Sequence, residues 1–438
     1  MVSDRSQSNE EKGLGLIFRA LGHRNYRLFF AGQGISLIGT WVQLIAMSWL
    51  VYRLSNSAFL LGVAGFLGMI PTFLLAPFAG VLTDRWDRRR ILLITQTLAM
   101  VQALVLAALD LTGAIRVWHL VILIPSLGFV NAFDAPARQA FVVEMVERRE
   151  DLSNAIALNS FLFNGARLVG PSIGGILISI LGEGMCFLLN GLSFLSVIVA
   201  LLAMRIISEN RGSQGKQMWQ VLKEGFNYTF GFAPIRFILF LLGLASFMGM
   251  PYTVLMPVFA KDILHGGPQT LGFLMAASGV GAVTAALYLA SRRSVLGLGR
   301  IIAVASSVFG IGLIGFSLSH VLWLSMLLLV VVGFGMMVHM ASSNTILQTM
   351  VDDDKRGRVM SFFMMSIMGM TPFGSLLAGY LASKIGASST LIIGGTSCIL
   401  GSFLFSKKLP LIREMVRPIY LKKGIIREVP KVAVSLDR

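Results

Sequence analysis

With 438 residues, 55% of them hydrophobic and only 13% charged, and a mean hydropathy of +0.77, the chain lies outside the range of soluble globular domains and belongs in a bilayer. A formal net charge of +16 would point to nucleic acid in a soluble protein; here the basic residues fall in the gaps between apolar runs, so they report orientation and contact with anionic headgroups. Two cysteines far apart, Cys186 and Cys398, exclude a disulfide framework.

In chain order, residues 1–12 are polar and lack the apolar core and cleavage site of a signal peptide. From Gly13 to Arg27 apolar residues recur at helical spacing among basic ones, so residues 1–24 are expected to form a cytoplasmic N-terminus with an interfacial helix. A span needs about 20 mostly apolar residues. That rule predicts twelve, near 25–51, 58–82, 91–112, 116–136, 152–181, 184–206, 236–260, 268–290, 299–318, 321–348, 357–383 and 387–406. An even number puts both termini on one side. Thirty-two of the 37 Lys and Arg gather on that side and four on the other, which makes it cytoplasmic and the chain a multi-pass protein of the cell membrane. The polar stretch 207–235 divides a first six-helix bundle, 25–206, from a second, 236–406, and residues 407–438 form a basic tail suited to anionic lipid. The segments Phe141–Asp151 and Ile346–Arg356 resemble one another, which supports an internal repeat.

Between spans 2 and 3 lies Gly80-Val-Leu-Thr-Asp84-Arg85-Trp-Asp-Arg88-Arg89-Arg90, too short to cross a bilayer and able to hold an ion-pair network at a helix end. This stretch resembles motif A of the major facilitator superfamily. The resemblance implies an all-α integral membrane fold of twelve transmembrane helices in two pseudo-symmetric six-helix bundles, with Gly80, Asp84, Arg85, Arg88 and Arg89 gating conformational change. In span 5, Gly170-Pro171-Ser-Ile-Gly174-Gly175 resembles motif C, which accompanies exporters that exchange substrate for protons. Ala166, Gly170 and Gly174 form a small-residue stripe for close helix approach, and Pro171 permits bending.

Arg167 is the most pointed residue, because a charge near the bilayer centre costs at least ~2.5–3.5 kcal/mol and must face water, an acid or a substrate. Ser160 and Asn164 share its face; if Pro372 aligns with Pro171, its counterpart in span 11 is Met368. The alternative is an arginine that only pins span 5 to a neighbour. At the end of span 4, Asp134 and Arg138 stand four residues apart, a pairing distance on a helix interrupted by Pro136; Asp134 fits proton carriage or a helix-terminating charge equally well. Asp110 in span 3 is the one acid well inside an apolar run, and serves either coupling or the interface. Span 1 offers no acid, only Gln33 and Gln43. Together with Asn25–Gln33 and Trp49–Tyr52, these segments resemble the efflux branch that holds macrolide exporters and the enterobactin exporter.

Sixteen of the 23 methionines lie beyond residue 207, as an adaptable apolar cavity would want, although methionine also simply fills membrane helices. No phosphate-binding loop, metal-binding motif or nucleophile elbow occurs in the sequence, so no cofactor, no metal and no enzymatic activity is expected. The reading is a monomeric secondary transporter exporting amphipathic small molecules, drug-like or siderophore-like, by alternating access against protons. Its rivals are an importer on the same fold, a lysophospholipid flippase and a non-transporting sensor or scaffold.

Overall fold

The computed structural model describes residues 18–205, 218–292 and 294–426. Residues 1–12, the first five residues of the expected interfacial helix (13–17) and the end of the basic tail lie outside the described residues, as does the side chain of Asp84; the rest of that stretch is a single 3-10 turn, Arg19–Gly22, followed by the start of the first span. With no water in the hydrocarbon, a spanning backbone must satisfy its own hydrogen bonds. Apolar runs of this length therefore become helices, and no strand occurs among the described residues.

The spanning helices are α1 (Arg24–Ser55), α2 (Ala58–Arg85), α3 (Arg88–Leu111), α4 (Val117–Met145), α5 (Leu152–Leu181), α6 (Glu183–Ala203), α7 (Ala233–Ile263), α8 (Pro268–Ala290), α9 (Leu298–Leu318), α10 (Leu322–Met350), α11 (Asp353–Ile385) and α12 (Ala387–Lys422). Their starts are fixed by local chemistry, as where Ser57 Oγ accepts from Leu60 N at 3.3 Å and Asp87 Oδ1 from Arg90 N at 3.1 Å. α5 and α11 both stop at a glycine in the left-handed region, Gly182 (φ 82°) and Gly386 (φ 87°).

Three boundaries depart from the sequence expectation. α4 runs through Pro136 to Met145, because one lost amide hydrogen bond does not end a helix held by its neighbours. The stretch 207–235 contains a helix, Met218–Gly231, and α12 continues into the basic tail as far as Lys422.

α1 packs on α5 and α6, and α3 on α4 and α6, while α9 packs on α10 and α12, and α8 on α10. The two groups meet through α2 with α11 and α5 with α8, with smaller contacts of α7 and α8 against α1 and α2. The meeting is symmetric in detail. A Cβ at Gly62 would stand 2.6 Å from the Ser375 carbonyl oxygen and 2.7 Å from Gly379 Cα; one at Gly272 would stand 2.6 Å from the Pro171 carbonyl oxygen and 3.0 Å from Gly175 Cα. Backbone meets backbone at both crossings, which only glycine allows.

Gly175 and Gly379 each precede the helix-ending glycine by seven residues, so Pro171 corresponds to Ser375 and Arg167 to Thr371. The expected match to Met368 is corrected. Pro372 is not the equivalent of Pro171, because it lies three residues before Ser375, the residue that meets α2 where Pro171 meets α8; a π-helical turn, Met365–Gly369, precedes it in α11. Two further π-helical turns, Ala245–Gly249 and Phe259–Ile263, interrupt α7, whereas α1 and α5 are unbroken α-helices.

Candidate substrate pathway

The α2–α11 crossing runs from Ala58–Gly379 to Phe73, whose ring meets Phe373 at 6.4 Å and fills the space over Gly369. The α5–α8 crossing runs from Gly175–Pro268 to Arg167, whose carbonyl oxygen would be 3.7 Å from a Cβ at Gly279. Both crossings occupy the half of the bundle away from the chain termini. On the terminal side Leu74 and Phe78 of α2, Ser160 and Asn164 of α5, Met364, Met365 and Met368 of α11, and Gln348 of α10 are exposed. The two groups of helices thus part into a cleft that opens toward the termini, with Arg167 near its closed end.

Arg167 is half-buried, and among the described residues no carboxylate pairs with it. Its charge lies within electrostatic reach of Tyr252 in α7, whose hydroxyl shares a 2.7 Å hydrogen bond with Ser278 Oγ of α8. Asn164 and Ser160 continue the polar face toward the open end, Asn164 Nδ2 donating to the Ser160 carbonyl at 2.8 Å. Phe161, Val169, Ile176 and Ile180 form a separate exposed apolar stripe suited to lipid.

Asp134 lies elsewhere, buried between α3 and α4 well inside the helix. It accepts from Gln96 Nε2 at 2.8 Å and Thr95 Oγ1 at 3.0 Å, and Arg138 pairs with it at 3.6 Å. Gln33 is buried in α1 with its Oε1 unpartnered among the described residues. Asp110 joins neither group: at the far end it meets Arg53 at 3.3 Å, and Arg53 also donates to Glu183 at 2.7 Å. These three residues tie α1, α3 and α6 together. His339 is likewise interior, 1% exposed in α10, and does not face the cleft.

The loop after α2 makes local contacts. Arg88 donates to Glu144 at 2.7 Å at the end of α4, and Arg89 caps α6 through the carbonyls of Leu201 (2.8 Å) and Leu202 (3.0 Å). Arg85 is exposed, and nothing surrounds the Cα of Gly80 closely. In α5 the glycines serve two partners: Gly170 and Gly174 admit Trp41 and Val42 of α1, beside the buried Pro171, while Gly175 admits α8.

Sequence reasoning passed over one cluster. On the face away from the termini the Tyr52 hydroxyl donates to Asp262 across the two groups of helices, and Lys261 Nζ donates to Asn56 Oδ1 at 2.6 Å while lying 5.4 Å from the Tyr52 ring centroid. Asp262 is one of very few acids at a span end, and that scarcity was the available signal.

The profile of the transmembrane secretion effector family matches residues 17–419. The staphyloferrin A transporter of Staphylococcus aureus is 27% identical over 382 residues, covering 86% of this chain and 95% of the relative. Macrolide efflux protein A of Streptococcus pyogenes is 25% identical over 399 residues, with the same coverage, and the multidrug efflux pump Tap of Mycobacterium tuberculosis is 26% identical over 398 residues, covering 88% and 91%. Among solved structures, the nucleoside transporter NupG superposes with a TM-score of 0.68 at 13% identity, over 88% of this chain and 99% of that one. A bacterial homologue of ferroportin superposes with 0.67 at 15% identity, over 88% and 98%. The twelve helices, their paired grouping and these matches agree: the chain belongs to the transmembrane secretion effector family of the major facilitator superfamily.

Proposed function

We propose that the chain is a secondary active exporter of amphipathic small molecules, drug-like or siderophore-like, that works by alternating access and exchanges substrate for protons across the cell membrane. The observation that carries this reading is the one-sided cleft: the helix crossings close the face away from the termini and leave a polar wall open on the other. The excess of Lys and Arg on the terminal side makes that side cytoplasmic, so the cleft is in the state that loads from the cell interior. The relatives named for staphyloferrin A, macrolides and multiple drugs support export and frame the substrate range.

Asp134 is the proton site in this reading, being a buried carboxylate within a spanning helix and held by neutral donors and by Arg138. Protonation would release Arg138, its neighbour one turn on in α4. Asp84, Arg85, Arg88 and Arg89 would lock the outward state at the cytoplasmic end, and the bilayer's anionic headgroups would hold the basic tail. The protein acts as a monomer.

Everted membrane vesicles carrying an imposed proton gradient test direction and ion together. Addition of an amphipathic substrate, drug-like or siderophore-like, is expected to dissipate the gradient in proportion to this protein, and Asp134→Asn to abolish the dissipation while substrate binding survives. A folded, inserted protein whose transport follows an imposed sodium gradient and ignores protons would overturn the coupling assignment.

A further inference from the structure

We propose that the substrate is an anion, a carboxylate-bearing amphiphile, and that Arg167 is the residue that receives its acidic group. The inference rests on reading the chain as an exporter and names the substrate class of that same cleft.

The argument is a charge inventory. Arg167 sits mid-span near the closed end of the cleft, half-buried, and among the described residues no acid neutralises it. Among the described side chains, the acids within or at the ends of the spans that could approach it are engaged elsewhere: Asp110 and Glu183 hold Arg53, Asp262 accepts from Tyr52, Asp134 is surrounded by Thr95, Gln96 and Arg138, and Glu144 and Asp151 pair with Arg88 and Arg19. An intramembrane charge without a counter-ion is expensive unless water or a ligand supplies what the protein does not. The cleft gives Arg167 that access.

The surroundings fit one ligand type. A guanidinium offers a planar fork of donors that matches a carboxylate with two parallel hydrogen bonds. Asn164 and Ser160 lie one and two turns toward the mouth, placed for further polar groups of the same molecule. On the same half of the molecule Met364, Met365 and Met368 of α11 are exposed, and such thioethers offer an adaptable apolar surface for the body of an amphiphile. A cationic amphiphile would meet Arg167 with no described carboxylate to offset the repulsion.

The test is direct binding to the purified full-length protein in detergent micelles, which does not depend on transport. Two fluorescent probes of equal length are compared, a dansyl-tagged undecanoic acid and a dansyl-tagged undecyl trimethylammonium. Saturable binding of the acid is expected, weakened at least tenfold by Arg167→Gln and by a smaller factor in Arg167→Lys, which keeps the charge and loses the fork; thermal melting verifies that each variant is folded. Should Arg167→Gln fail to fold, the Lys variant and competition by unlabelled undecanoate carry the test. Equal affinity for the cationic probe, or acid binding indifferent to both substitutions, overturns the proposal. Arg167-dependent acid binding without flux in vesicles would leave the anion site standing and remove the exporter reading. Flux of other compounds untouched by Arg167→Lys would do the reverse.

Discussion

The first six spanning helices and the last six share a plan and differ in how they are held together. In the first group polar side chains join helices deep in the bundle: Gln43 of α1 donates to Gln102 of α3 at 3.0 Å and accepts from Asn190 of α6 at 2.7 Å, Gln102 donates to the Leu123 carbonyl of α4 at 3.1 Å, and Arg53 with Asp110 and Glu183 ties one end. In the second group the cross-helix polar ties deep in the bundle are made by serines and one tyrosine, such as Ser307 to Ser402 at 2.8 Å and Tyr252 to Ser278, with Lys423 binding the Thr349 carbonyl only at the end, and the three π-helical turns lie there. A bundle cross-linked by amides resists shear. One with short ties, methionines and π-helical turns has cheaper ways to bend. In the proposed alternating-access cycle this contrast would put the deformation chiefly in α7 and α11, against a stiffer first group.

Substitutions at three places would test that contrast. The largest effect is expected from Gln43→Leu, which orphans Asn190 Nδ2 and Gln102 Oε1 in the interior; each buried unpaired group costs about 1–3 kcal/mol, so thermal melting in detergent should fall by several degrees. Melting unchanged within error would mean that the amide network does not stiffen the first group. At the junction, Tyr52→Phe removes a hydrogen bond to Asp262 that links the groups on the face away from the termini. A shift of about tenfold, ~1.4 kcal/mol, toward opening of that face is expected, read as faster cysteine labelling at Ala58→Cys, which is half-buried at the α2–α11 crossing. Labelling no faster than in the parent would show that the glycine crossings alone hold the face shut. The smallest effect belongs to Ser307→Ala in the second group, where Ser402 keeps its bond to the Ala303 carbonyl and the expected loss is about 0.6 kcal/mol. A loss as large as that of Gln43→Leu would erase the difference between the groups.

The sequence carried the spans and the special residues of α5 because their signals are local: length and hydropathy for the helices, glycine spacing for the crossings, and a lone charge for Arg167. It left open what depends on partners distant in the chain. Asp110 stands well inside an apolar run, and Arg53 reaches it from α1 while also binding Glu183 of α6. Asp134 reads as a rim charge because Pro136 looks like an end, whereas the helix continues for more than two turns beyond it, and Thr95 and Gln96 close over the carboxylate from α3. The two prolines do not occupy equivalent places in α5 and α11, so counting between them set Met368, not Thr371, as the counterpart of Arg167, whereas the glycine crossings give the register.

An uncompensated charge near the middle of a bilayer is also an electrical element. In the proposed cycle a singly charged anion on Arg167 would make the loaded site neutral, and its passage outward would do no work against the membrane potential. The empty site would return with its positive charge toward a negative interior, a step favoured by up to about 2.3 kcal/mol per 100 mV. The potential would then speed recovery of the empty carrier and leave the loaded step unaffected, making turnover sensitive to voltage even where the chemical proton gradient is zero.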